Sequence, residues 1–216
     1  SETLVTRQQY AKLSGGEVSG AKADHPQTGV SWQEAVVYCN WLSDRGSLTR
    51  FYDIRDVRGV RVIGVNTEAN GFRLPTLNEW VFLITEGKPS GLAQYPWGND
   101  FDKLPRGLGN FAGREFAATS GMFLTAHSDE FAGLSPVKSF RSSRLGFYDV
   151  VGNAKVWLHS VGKRSGEYFA DLPDMRHTAV GASYLSSAAT ELESLNVQPY
   201  FYGEDDIGLR IVRTIK

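Results

Sequence analysis

Cysteine is nearly absent: Cys39 is the single one in 216 residues. A disulfide within the chain is impossible, and so is a zinc site built on several thiolates. A lone thiol fits a reducing compartment such as the cytoplasm. Histidine is also scarce. His25, His127, His159 and His177 are the four, with no two spaced three or four residues apart. That removes the usual helical pair of imidazole ligands, and these residues read as surface or hydrogen-bonding histidines. No run of about 18 apolar residues occurs, so no membrane-spanning helix is expected. No signal peptide is read, and a start at Ser1 without methionine is taken as the mark of a longer parent chain. An excess of one charge is missing too. The formal net charge of −1 offers nothing to nucleic acid or to an anionic membrane. Walker A, GxSxG, HExxH and protein-kinase signatures are all lacking. There is no internal repeat.

What is present is ordinary for a globular protein: 41% hydrophobic and 22% charged residues, with 12% aromatics that argue against disorder. Residues 1–216 read as one domain. Glycine, at 23 residues against 8 prolines, suits many turns and irregular loops around little regular structure. Helix formers run from Arg7 to Leu13. The strongest helix pattern spans Gly29 to Asp44. Ser31 and Glu34 form a capping box there, and Ala35, Tyr38, Cys39 and Leu42 fall at helical spacing. Cys39 therefore reads as a small buried apolar residue rather than a functional thiol. Thr76 and Glu79 form a second capping box, with Trp80, Leu83 and Ile84 on one helical face up to about Glu86. Phe51 to Val65 reads as a hairpin turning at Arg58-Gly59. Asp102 to Ala126 reads as a long structured loop, the kind that carries function or needs a ligand to hold it.

Several blocks then point one way. Val30-Ser31-Trp32-Gln33-Glu34-Ala35 leads into Tyr38-Cys39-Asn40-Trp41-Leu42. Phe72-Arg73-Leu74-Pro75-Thr76-Leu77-Asn78-Glu79-Trp80 follows, then Tyr95-Pro96-Trp97-Gly98-Asn99-Asp100. Gly146-Phe147-Tyr148-Asp149-Val150-Val151-Gly152-Asn153-Ala154, Val180-Gly181-Ala182-Ser183-Tyr184 and Ile207-Gly208-Leu209-Arg210-Ile211-Val212-Arg213 complete the series. In this order the blocks resemble the formylglycine-generating enzyme (sulfatase-modifying factor) family along essentially the whole chain. The resemblance implies an α+β fold, the formylglycine-generating-enzyme variant of the C-type lectin fold. Such a fold is loop-rich and low in regular secondary structure. The family's first strand would lie at or before Ser1.

The resemblance also implies a copper(I) site on two thiolates after the Gly-Gly-Ser block, copper(I) being a soft ion. Those positions fall on Ser186 and Glu191, so neither copper nor the family's oxygen chemistry is expected. The three-histidine iron domain of the related sulfoxide synthases has no counterpart. A calcium site is implied at Asn110, Phe111, Asp129 and Phe131, through two side chains and two carbonyls. These are the hard oxygens that calcium takes. The alternative is that Asn110 and Asp129 only hydrogen-bond loop backbone. A second calcium is not expected. The family's glutamate there is Val156, and Lys155 beside it would repel a cation or replace it with its own ammonium. Glu204-Asp205-Asp206 reads as a solvated loop. Tyr184, Ser186, Glu191, Tyr200 and Tyr202 map to the family's groove, where aromatics suit recognition as well as packing.

The functional expectation is a non-catalytic module that binds or senses an unknown protein or small molecule. Relatives of this kind are appended to other domains, bacterial Ser/Thr kinases among them. Two alternatives remain. One is a variable ligand-display protein of the diversity-generating-retroelement type on the same fold. The other is an enzyme with different chemistry in the same groove.

Overall fold

A computed structural model describes residues 1–87, 104–118, 127–159, 168–170, 177–187, 198–200 and 203–215. The elements are short, as the glycine content implies. Helix α1 (Arg7–Ala11) starts at a Thr6–Gln9 capping box and tightens into a 3-10 turn, Lys12–Ser14. Helix α2 (Trp32–Arg45) starts three residues inside the Gly29–Asp44 pattern, because Ser31 is its N-cap and Glu34 closes the box. Helix α3 (Leu77–Ile84) has the Thr76–Glu79 box and stops at Thr85. Glu86, expected inside it, instead takes a positive φ of 53°.

The hairpin is β1 (Tyr52–Val57) and β2 (Val60–Val65), turning through Arg58 and Gly59. Both have positive φ, as a two-residue primed turn requires. Strand β3 (Phe72–Arg73) follows, then β4 (Lys155–Trp157), β5 (Tyr168–Ala170), β6 (His177–Val180), β7 (Gln198–Tyr200), β8 (Ile207–Gly208) and β9 (Val212–Arg213). They form three small sheets, ordered β1-β2-β5, β3-β9 and β7-β6-β4-β8. Only β4 and β8 among these pairs run parallel.

The four-stranded sheet divides two cores. Side chains alternate along a strand. Trp157, Ala179 and Ile207 therefore join a core with α2 and the hairpin, containing Trp32, Cys39, Tyr52 and Ile63. Val156 and Val180 face the other way, into a core with Trp80, Leu83, Ile84, Phe111 and Val150. Two indoles pin α2 to this sheet: Trp32 Nε1 donates to the Leu158 carbonyl and Trp157 Nε1 to the Val30 carbonyl, both at 2.9 Å. Among the described residues, no helix is long and apolar enough to cross a membrane.

Candidate functional site

Asn110 and Asp129 come together through backbone. The Phe111 N–H donates to Asp129 Oδ2 (2.7 Å), the Phe131 N–H to Oδ1 (3.0 Å), and His127 Nε2 lies 3.1 Å from Oδ2. Asn110 Nδ2 donates to the Gly133 carbonyl (2.7 Å) and to Asn153 Oδ1 (3.2 Å). Its Oδ1 is buried and has no hydrogen-bond partner. A buried amide oxygen left without a donor is costly, and it is also what a hard cation would use. The loop around Asn110 presses on the Gly152–Asn153 turn, where the Asn153 N–H donates to the Asn110 carbonyl (2.8 Å). Gly152 has φ of 80°, and a Cβ there would stand 2.5 Å from that carbonyl, so only glycine fits. Glu115 holds the far side, accepting from the Asp129 N–H and the Ser128 hydroxyl. The composition of this loop gave no sign of that glutamate's role.

The expected thiol position is a turn in the core. Ser186 is 1% exposed. Its Oγ accepts from the Ser183 N–H, its own N–H donates to the Ser183 carbonyl, and its carbonyl accepts from Ala112. Ser183 is also buried, and its hydroxyl donates to Asp206 Oδ2 at 2.7 Å. Lys155 Nζ reaches the same oxygen at 3.0 Å. Asp206 is thus no part of a solvated loop. It is buried while Glu204 and Asp205 are exposed, because strand β8 begins at the next residue and draws it inward. The ammonium of Lys155 provides the positive charge at this carboxylate. Tyr184 is half-buried, and burial first, then Asp206 and Asp205, push its hydroxyl pKa up. Leu185 beside it is 42% exposed. Glu191 and Tyr202 lie outside the described residues, as does the Tyr95–Asp100 block. Tyr200 is described in its backbone, on β7 opposite His177.

Cys39 is fully buried in the α2 core, and burial pushes its thiol pKa well up, with Arg73 offsetting this in part. His127 and His177 are buried rather than on the surface. His177 stacks flat on Trp32 with ring centroids 4.0 Å apart. Tyr52 hydroxyl lies 3.2 Å from His159 Nδ1. Among the described residues, no group of three or more His, Cys, Asp or Glu is placed to hold a metal. The Asn110 node is of another kind, made of one carboxylate, one amide and carbonyls. It opens on a cavity of about 660 Å³ lined by Arg106, Arg114, His127, Asp129, Phe131 and Phe140 among others.

The Sulfatase-modifying factor enzyme 1-like domain model matches residues 3–215. The bovine "Inactive C-alpha-formylglycine-generating enzyme 2" is 31% identical over 190 residues, covering 86% of this chain and 48% of that protein. The crystal structure of CarF superposes with a TM-score of 0.68 at 26% identity, covering 100% of this chain and 85% of the other. Treponema denticola variable protein 1 superposes with a TM-score of 0.69 at 20% identity, covering 97% and 82%, a likeness of fold alone. The chain spans 27% to 58% of the length of the curated relatives compared with it. Matched along nearly its whole length, the chain belongs to the sulfatase-modifying factor enzyme 1-like domain family, on the formylglycine-generating-enzyme variant of the C-type lectin fold.

Proposed function

We propose that this chain is a non-catalytic binding module on the family's scaffold. The carrying observation is Ser186: a hydroxyl stands where the family's first thiol is expected, and it is spent closing a buried turn. Cys39, the remaining sulfur nucleophile, is sealed in a core with a raised pKa. Without a thiolate pair, the family's copper(I) site lacks the soft ligands it is built on. Half-buried Tyr184 and exposed Leu185 sit beside that turn and offer contact area for a protein or small-molecule partner. A module of this kind suits attachment to another domain, such as a bacterial Ser/Thr kinase. The test is incubation with copper(I), oxygen and a cysteine-containing peptide, read by mass spectrometry. The peptide should remain unchanged and the melting temperature should not rise with copper(I). Aldehyde formation overturns the reading. The double variant Ser186→Cys, Glu191→Cys should gain copper(I) binding if the register is right.

A structural calcium ion at the Asn110 node belongs to the same reading. The open Asn110 Oδ1 supports it, together with Asp129 and the Phe111 and Phe131 carbonyls. Asp129 already accepts three donors, so its share would be a single oxygen position. Calcium should raise the melting temperature of the parent and leave Asn110→Ala unmoved. An equal rise in both places the ion elsewhere.

A further inference from the structure

Beyond the end of α3 lies a second cavity, of about 280 Å³. Its floor is apolar: Leu83, Ile84, Phe147, Val150 and Val151 line it. Glu86 lines it too. The side chain of Glu86 is 5% exposed. One carboxylate oxygen, Oε1, accepts from the Arg144 N–H at 2.7 Å. The other, Oε2, is buried without a hydrogen-bond partner, and the nearest cation, Arg144 Nε, stays 3.9 Å away on an exposed side chain. A buried carboxylate oxygen without a hydrogen-bond donor is costly to keep. Glu86 is held there in a left-handed backbone conformation, φ 53°, that non-glycine residues seldom adopt. That conformation ends α3: the Glu86 N–H returns to the Leu83 carbonyl and the Gly87 N–H to the Phe82 carbonyl, and the turn aims the Glu86 side chain back along the helix end.

Two cationic side chains also line the cavity: Arg106 and Arg141. Both are exposed, and neither has a carboxylate partner among the described residues. These charges select the ligand. A simple amine would meet one carboxylate against two lining arginines. A simple anion would be held by the arginines but would face Glu86. A neutral apolar molecule would leave Oε2 unsatisfied. A molecule carrying both charges on a short apolar body answers all three. The volume lies just below the range of about 300–1,000 Å³ for drug-sized ligands, so the occupant is small.

We propose that this cavity binds a small zwitterion of the apolar α-amino-acid class, with its ammonium on Glu86, its carboxylate toward Arg106 and Arg141, and its side chain on the apolar floor. The site shares no residue with the Ser183–Ser186 turn, and Arg106 stands between it and the cavity at the Asn110 node. It stands whether or not the domain has lost its chemistry.

The test is calorimetric titration of the chain with L-leucine and L-phenylalanine, against phenethylamine and 3-phenylpropanoate as single-charge controls. The amino acids should bind saturably, and L-phenylalanine should bind at least about tenfold more tightly than either control. One charge-assisted hydrogen bond is worth about that factor. Glu86→Gln keeps an acceptor for the Arg144 N–H and should weaken L-phenylalanine about tenfold while sparing 3-phenylpropanoate. Arg141→Ala, at an exposed position, should weaken L-phenylalanine and spare phenethylamine, which keeps the test open if Glu86→Gln fails to fold. The proposal is overturned if neither amino acid binds, if 3-phenylpropanoate matches L-phenylalanine, or if either folded variant binds L-phenylalanine as the parent does.

Discussion

At the scale of single residues, His159 sets a pH dependence. The Leu74 N–H donates to the Tyr52 hydroxyl, so the Tyr52 proton is directed at His159 Nδ1. That nitrogen accepts it in the tautomer protonated at Nε2, with the ring neutral. Burial first and the Arg73 charge second push the pKa of His159 down to about 4. In the unfolded chain the imidazole returns to about 6.5. The unfolded state therefore binds the extra proton between these values, and stability falls as pH drops from about 6.5 to 4. The loss attributable to this ring is at most about 3 kcal/mol. Urea unfolding at pH 7 and pH 4.5 should show a smaller drop for His159→Gln than for the parent, and equal drops would refute the assignment. The residue scale is also where the sequence was least legible. Cys39 could be placed by its helical spacing alone. Asp206 could not, because Lys155 and Ser183, which bury it, come from other strands and loops. Asn110 and Asp129 were named through a family resemblance. No spacing in the chain said that Phe111 would donate its N–H between them.

Elements were more legible, since caps are local. Thr76 Oγ1 accepts from the Glu79 N–H, and Glu79 Oε2 accepts from the Thr76 N–H and hydroxyl. Arg73 adds a two-pronged pair to the same carboxylate, at 2.7 Å on each arm. Strand β3 is thereby clamped to the start of α3. Thr76→Ala should cost about 1 kcal/mol, the usual loss of an N-cap. Glu79→Ala should cost more, because it also strands Arg73, whose side chain is 11% exposed. Denaturant melts of the two variants check the order, and a Thr76→Ala loss exceeding that of Glu79→Ala would contradict the clamp. Helix α1 shows the same logic: Thr6 and Gln9 were a readable box that the helix-former pattern overshadowed. The strand pairing β4 with β8 was not readable. A parallel pair depends on the crossover between its strands, and no local residue encodes it.

At the scale of the whole molecule, Arg210 ties the ends of the fold to its middle. It is fully buried, and burial pushes its pKa down to about 10. Its guanidinium donates to the carbonyls of Ser1, Glu2, Tyr148 and Asp149. Asp149 lies nearby, and burial pushes that carboxyl up despite bonds from Lys138 and Asn153 and the charge of Arg210. Arg210→Met removes the donors of four carbonyls and leaves Asp149 without its cation. A loss of about 3–5 kcal/mol is expected, since each buried carbonyl left without a donor costs about 1–3 kcal/mol. A loss under about 1 kcal/mol in denaturant melts would show that the carbonyls find water instead. Two cores sharing one dividing sheet should fail together in that variant, with fluorescence and circular dichroism following a single transition.

The sealed position of Cys39 turns the native protein into its own clock. A thiol reagent added to the folded chain finds nothing to react with until α2 separates from the hairpin beneath it. Since the sequence holds a single sulfhydryl, labelling measured by intact mass reads as one step, with no background and no engineered probe. At low reagent concentration the labelling rate should scale with the population of opened molecules, and it should fall when a stabilising ligand is bound. Rapid labelling under native conditions would mean that the α2 core opens independently of the rest.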